Sequence, residues 1–452
     1  MRPSRGFLLP LLLCCLSLSC RSAAPPARPS VPGAQNSALF LAEEIKLMQR
    51  QGLPTTPAAL QAPLPPADRN AAPLYQQLDA LLKAKPAVGD DKIATDGVGR
   101  RPLTAEQATK LRLAFQNRAD IGRLIHQAVA RPECVFTRDW TQGVYLPEYA
   151  RMRLAARWLS AESALQLYDN EPIEAVKTEA LGFRLADHAT KVPTLDAHLV
   201  SIAIDAITLA GMERILYAAG DRPGVAAAVQ HAIETERHDH SLAHALHGEI
   251  VFPLVEMEKD RNSGPKAYEK LLHMIVDADA LPAPALSPED RQNWNAFINR
   301  SEIAMIHSLH VMIAAADKPY PEASPAFQNV HSNLQAHQQD AAYTPELTVF
   351  PVYEQALKKS GQISAKATTV RAGAALCAWK AQHGAFPEKL EKAMPKVPRD
   401  PFDGKLLRYR KEGAGFVVYS VGPTARFDGG SPAVKPDAME SVFRYPLPAE
   451  VK

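Results

Sequence analysis

After Thr194 the chain reads LDAHLVSIAIDAITLAGMERILYAA, a run that is apolar nearly all round. Leu199, Ile202, Ala206 and Leu209 cover one side, and Val200, Ile204, Ile207 and Gly211 cover much of the rest. From Leu199 to Met212 the one charged residue is Asp205. A helix without a polar face is normally buried among other helices. Asp196, Asp205, Glu213 and Arg214 punctuate the run too heavily for a comfortable membrane span. With Pro193 placed for a first turn and Gly220 for a stop, the pattern predicts a central helix wrapped by its neighbours.

The flanking sequence carries many shorter helical patterns. Ser37 to Gln51 is amphipathic, and Asn70 is placed to cap a helix running to Leu82. Thr104 with Gln107 spells a capping box for a helix reaching Val129. The stretch from Arg131 to Pro147 breaks the period and gathers Cys134, Phe136, Trp140 and Tyr145, which predicts a crossover pinned to the core by its rings. Glu148 to Leu167 and Ile173 to Thr190 form a helical hairpin around Asp169-Asn170. Further helices are expected over residues 223–235, 241–259 and 265–276. Ser287-Pro288 opens one that reaches Ala316, Asp317 to Pro325 is loop, and Ala326 to Gln338 is a shorter helix.

From Pro351 the character changes. Val352 to His383 is one long helical pattern ending at Gly384, and the stretch from Ala385 to Leu390 is expected to start a short helix. Leu406 to Lys411 and Gly415 to Val421 alternate as two strands of a hairpin, with Ser441 to Tyr445 a last strand. The fold class that follows is mainly α: a multi-helix bundle or an irregular array of helical hairpins, then a small α+β C-terminal module of long helix plus short antiparallel hairpin. The expected boundaries are residues 37–348 for the helical body and 349–452 for the module.

Composition narrows the function classes. The chain has 452 residues, long for a single core, and 46% of them are apolar. A net charge of +2 without a basic stripe gives no electrostatic case for nucleic acid. Residues 1–20 read as an export signal, with Arg2 and Arg5 before an apolar stretch from Phe7 to Leu18. Residues 21–36 form a Pro/Ala-rich tether. Two processing readings stand side by side: lipidation of Cys20, which would anchor the chain to a membrane through a lipid, and ordinary cleavage after Ala23 or Ala24. Cys134 and Cys377 read as two small buried thiols or as a bridge.

The last part, with its long helix, HGAFPEKLEKAMP, DPFDGKLLRYR, FVVYSVGP and FDGG, resembles the globular end of the major pseudopilin of type II secretion. The resemblance implies a small sheet closing over the helix. It also implies calcium in the loop after the YSVG run, where Asp428 and Asp437 match acidic positions. The apolar assembly helix of a pseudopilin is absent, so fibre formation is not implied. The chain as a whole resembles a group of uncharacterised exported bacterial proteins that join a helical body to this module. NAAPLYQQLDALL, LAARWLSAESAL, PTLDAHLVSIAID and LAHALHGEI carry that resemblance.

The sharpest chemical candidate is HDHSLAHALHGEI. His240, His244 and His247 are spaced for one helical face, with Glu236 a turn earlier, an arrangement able to share zinc. His198 and Asp205 share a face of the central helix and need partners if buried. No GxSxG, P-loop or complete GxGxxG occurs. The expectation is an exported, noncatalytic helical interaction or scaffold protein with a protein partner in the cell envelope, periplasmic or envelope-anchored. The alternatives are a metal-dependent hydrolase centred on the histidine helix and an accessory of a secretion system. No cofactor is expected beyond the calcium or zinc already named.

Overall fold

The computed structural model describes residues 36–86, 92–141, 147–277, 284–424 and 441–447. The signal and tether, Cys20, Asp428 and Asp437 lie outside the described residues.

The described chain is mainly α with one small antiparallel sheet near its C-terminus. It begins with α1 (Ser37–Arg50), α2 (Ala72–Ala84), α3 (Ile93–Asp96), α4 (Ala105–Asn117) and α5 (Ala119–Val129). The capping box at Thr104 and Gln107 is formed in both directions. One helix was expected to reach Val129, but the ladder breaks at Arg118, whose buried guanidinium turns inward to donate to the Lys85 carbonyl. Asn70 acts more broadly than as a cap. Its side-chain oxygen accepts from Ala72 N and Val135 N, and its amide donates to Val135 O. That ties the 131–141 crossover to α2, and Cys134, Phe136 and Trp140 are buried in the same core. Cys134 and Cys377 are both free thiols, each buried.

Next come α6 (Pro147–Tyr168), α7 (Pro172–Ala189) and α8 (Leu195–Ala219), the expected central helix. Thr194 caps α8 by accepting from Ala197 N, so Pro193 stands before the cap rather than in the first turn. Two glycines let α7 and α8 approach. A Cβ at Gly182 would lie 2.0 Å from Thr208 Oγ1, and one at Gly211 would lie 2.0 Å from the Glu179 carboxylate. Most of α8 is buried, although Ala206 is exposed.

The helices α9 (Val225–Thr235), α10 (Leu242–Ser263), α11 (Lys266–Asp277), α12 (Pro288–Gln292) and α13 (Trp294–Ala316) follow. The helix expected from Ser287 to Ala316 is thus two, broken at Asn293. Residues 317–325 were expected as loop, yet α14 spans Tyr320–Ala336. Pro321 sits in the first turn, where its missing N–H is not needed. Pro325 removes one ladder bond, and burial of Ala323, Phe327, Val330 and Leu334 outweighs it.

Likewise α15 (Thr344–His383) starts a full two turns before Val352 and carries Pro351 inside. The short helix α16 forms at Leu390–Ala393, at the end of the stretch expected to start it, after Phe386 has led the chain down into the core. The sheet has order β1 (Arg408–Glu412), β2 (Gly415–Tyr419), β3 (Val442–Tyr445), antiparallel throughout, with Val418 opposite both Tyr409 and Phe443.

The expected division at residues 348 and 349 falls inside α15. Nor is the sheet set apart from the bundle. Leu209, Met212 and Leu216 of α8 share one core with Val370 and Leu376 of α15 and with Phe416 and Phe443 of the sheet. The Phe443 ring stacks on Tyr217 of α8 at 5.1 Å. No described helix is long and apolar enough to cross a membrane.

Candidate functional site

The histidine segment enters α10 through Ser241, whose hydroxyl oxygen accepts from His244 N at 2.9 Å. Asp317, where α13 ends, supplies a second cap. It accepts from Ser241 Oγ at 2.5 Å and from Ala243 N at 3.0 Å. Such a start suits the sequence, since a serine cap satisfies an amide that the first turn leaves open.

The cap lies after His240, so the three imidazoles do not share a helical face. His244 and His247 stay together on α10, edge to face at 5.8 Å. His240 precedes the helix and is turned inward, its side chain 4% exposed, 3.5 Å from Asp205 and 3.9 Å from Asp187. Glu236 is the C-cap of α9 and lies 3.8 Å from Arg184. Among the described residues no three His, Cys, Asp or Glu side chains converge as a metal-ligand set. Burial pushes the His244 and His247 imidazoles down, with the Lys191 charge adding to the first and His244 to the second.

The segment before α10 is instead fastened on three sides. His238 Nδ1 meets Asp187 of α7 at 2.8 Å. Arg237 lies 3.2 Å from Asp205 of α8, near enough for charge attraction without the alignment of a hydrogen bond. It also donates to Asp239 at 2.9 Å, and Asp239 accepts from Ser364 of α15 at 3.0 Å. Asp205 therefore finds its partners in Arg237 and His240, whereas His198 finds its own elsewhere.

His198 Nε2 lies 2.7 Å from Ser360 Oγ on α15. The Ser360 hydroxyl donates to the Ala356 carbonyl at 3.0 Å, so it must accept from His198. That direction places the proton on Nε2 and leaves Nδ1 buried without a hydrogen-bond partner. Burial, with His240 adding to it, pushes this imidazole down to about 4. A serine nucleophile needs a histidine that takes its proton and is itself oriented by a third group. Here the histidine gives its proton, and nothing orients its other nitrogen.

Ser360 also lines a cleft of about 510 Å³ between the start of α10, the α13–α14 corner and α15. Its serine and threonine hydroxyls are already engaged within the protein. Ser364 donates to Asp239 and Thr368 to the Ser364 carbonyl. A second cavity of about 480 Å³ lies under residues 97–99, bounded by Arg157 and by Ala206, Ile207 and Ala210 of α8. Gly99 in that loop offers its carbonyl to Arg214.

Compared with models of protein families, with curated proteins and with solved structures, the chain matches none.

Sequence reasoning overlooked the charged groups that occupy the deepest positions. Glu213 of α8 is fully buried between Arg100 and Lys366 of α15, the latter in direct contact. Glu179 of α7 pairs with Arg214, and Glu346 of α15 is buried in the first turn of its helix. For Glu213 and Arg214 the signal was present as charge inside an apolar run. The sequence holds Glu213 and Arg214 between Met212 and Ile215, where a solvated face would not put them.

Proposed function

We propose that this protein is an exported, noncatalytic helical scaffold that presents an interaction surface to a protein partner in the cell envelope, periplasmic or tethered there through Cys20. The observation that carries the reading is the direction of the His198–Ser360 hydrogen bond. The serine–histidine pair beside the cleft at the start of α10 is wired as a structural tie between α8 and α15. The other serine and threonine hydroxyls of that cleft are engaged within the protein in the same way. The pseudopilin-like character of residues 349–452 supports a place near a secretion system, as an accessory rather than a fibre subunit.

Elemental analysis of the purified full chain tests the reading against a metal-dependent hydrolase. The expected result is less than stoichiometric zinc, unchanged by His244→Ala. One zinc per chain, lost in that variant, would establish the hydrolase reading in its place. Crosslinking in intact cells then tests the partner. A discrete envelope protein captured by the full chain supports the scaffold, and capture of secretion components specifically supports the accessory role. No crosslinked species at native expression would remove both.

A further inference from the structure

The second cavity, about 480 Å³, opens beside the central helix. Its volume falls in the range of small-molecule sites, about 300–1,000 Å³. Val98, Ala206, Ile207 and Ala210 give it apolar walls, and Asp96 and Arg157 are the charged residues among those that line it. Ala206 is exposed, and Ile207 and Ala210 are half-buried, on a helix that is mostly covered elsewhere.

The walls are already set. Gly99 O accepts from Arg214 Nη1 at 3.0 Å, and Arg100 Nε lies 3.1 Å from the buried carboxylate of Glu213. Those two contacts pin the loop over α8. The Arg157 stem supports it from α6, since a Cβ at Gly97 would stand 3.6 Å from Arg157 Cγ. Gly97 holds a φ of +98°, a conformation in which any side chain is strained. Ser160 faces inward, where its carbonyl and hydroxyl oxygens both accept from Arg214 Nη2. A site whose walls need no ordering loses little affinity to that cost.

The two charges are not used by the fold. Among the described residues Asp96 has no ion pair or hydrogen bond, and Arg157 has one long contact, Nη1 to Thr95 O at 3.5 Å. Nor do the two pair with each other. A lone cation would suit any anion, but Asp96 on the same cavity repels one. A free cation and a free anion on apolar walls match a molecule with both charges at the ends of an apolar body. A guanidinium takes a carboxylate through paired N–H groups, and a carboxylate accepts from an ammonium. One amino acid would leave most of the volume to water, whereas a short peptide fills it.

We infer that this cavity is a binding site for a short zwitterionic peptide with small apolar side chains. Its carboxylate lies on Arg157, its ammonium on Asp96 and its side chains on Ala206, Ile207 and Ala210. The inference does not rest on the proposed scaffold role, and its failure would leave the crosslinking test of that role untouched.

Calorimetric titration of the full chain with trialanine tests it. The native chain should bind the free peptide, and should bind N-acetyl-trialanine and trialanine amide each at least about threefold more weakly, the scale of a partly exposed charge pair. Asp96→Asn should abolish the difference between free and acetylated peptide. Arg157→Met, which keeps a stem against Gly97, should abolish the difference between acid and amide. Ala206→Leu fills the cavity from an exposed position, so it should remove binding and leave the melting temperature unchanged. No binding of trialanine, equal binding of its capped forms, or binding that survives Ala206→Leu would overturn the inference. Free alanine bound as tightly as trialanine would overturn the peptide as its ligand.

Discussion

Arg214 of α8 and Glu179 of α7 meet at 3.1 Å with side-chain exposures of 1% and 2%. Arg214 also donates to the Gly99 carbonyl and to both the carbonyl and hydroxyl oxygens of Ser160 on α6. One guanidinium thus joins α6, α7, α8 and the loop before α4, and Gly211 leaves the gap in which the Glu179 carboxylate lies. Burial pushes Glu179 up, and the guanidinium pulls it back towards ionisation. Removing one member of a buried pair strands the other, which costs about 3–5 kcal/mol, whereas replacing both with apolar residues of similar volume is often neutral. Urea denaturation should show Arg214→Ala destabilised by that amount and the double variant Glu179→Met with Arg214→Met close to native. A single-variant loss below about 1 kcal/mol would mean the pair is solvated in ways its burial does not reveal.

His188 of α7 is, like His198, an imidazole that burial keeps neutral. Its Nδ1 lies 2.9 Å from the Tyr75 hydroxyl, and its Nε2 lies 2.9 Å from the Arg131 carbonyl. A neutral imidazole satisfies both, donating to the carbonyl and accepting from the phenol. Burial pushes its pKa down to about 4. The unfolded chain then binds a proton that the folded one refuses. Stability is whole above about pH 6.5 and is lost as pH falls towards 4, by an amount on the order of 3 kcal/mol. Thermal melts at pH 7 and pH 5 should show about 2 kcal/mol of that loss, the rest falling below pH 5. His188→Gln, which keeps an acceptor and a donor, should have a flatter acid limb, and a limb parallel to the native one would assign the effect to other groups.

Asp400 organises the turn beneath the sheet. Its carboxylate is fully buried and accepts from Phe402 N, Ser420 Oγ, Val421 N and Arg408 Nη1, at 3.0, 2.7, 2.9 and 2.6 Å. Asp400→Asn turns one acceptor into a donor facing other donors, and the cost should be about 2–4 kcal/mol, the range for leaving buried charged-group hydrogen bonds unmade. Hydrogen exchange over residues 415–421 would report it first. The neighbouring Asp403→Asn, which touches only Arg408 and Lys405 N at the rim, should cost about 1 kcal/mol or less.

These positions also mark what the sequence could convey. Thr104 with Gln107 and Ser287 with Pro288 act within one turn of themselves, so their roles were readable from spacing. The apolar periphery of α8 was readable too, because a helix with no polar face has one stable place to lie. Pro325 and Pro351 misled because a propensity counts against helix locally, while Phe327 and Phe350 are held by distant partners. His240 misled for a related reason. Its spacing to His244 suggested a shared face, but the cap at Ser241 and the pull of Asp205, distant in the chain, take it off the helix. Glu346 gave no local signal at all, since its environment is assembled from α10, α13 and α15.

The shared core makes the C-terminal part dependent on the rest. Residues 349–452 resemble a self-sufficient module in sequence, yet α15 begins at Thr344 and buries one face on α8 and α9. Phe443 fills a space between Tyr217 of α8 and Gly373 of α15, where a Cβ would meet its ring at 2.7 Å. Cut away from α8, the fragment would expose Val370, Leu376, Phe416 and Phe443 at once, and fully exposing each such side chain forfeits about 1.5–3 kcal/mol. That exceeds what a three-stranded sheet on one helix can hold in reserve. A fragment of residues 349–452 should therefore show a helix-poor circular dichroism spectrum and no cooperative melt. In the full chain, Phe443→Ala should destabilise α8 and the sheet together by about 3–5 kcal/mol. A cooperative melt of the isolated fragment would show that the sheet and α15 form a core of their own, with α8 merely resting against it.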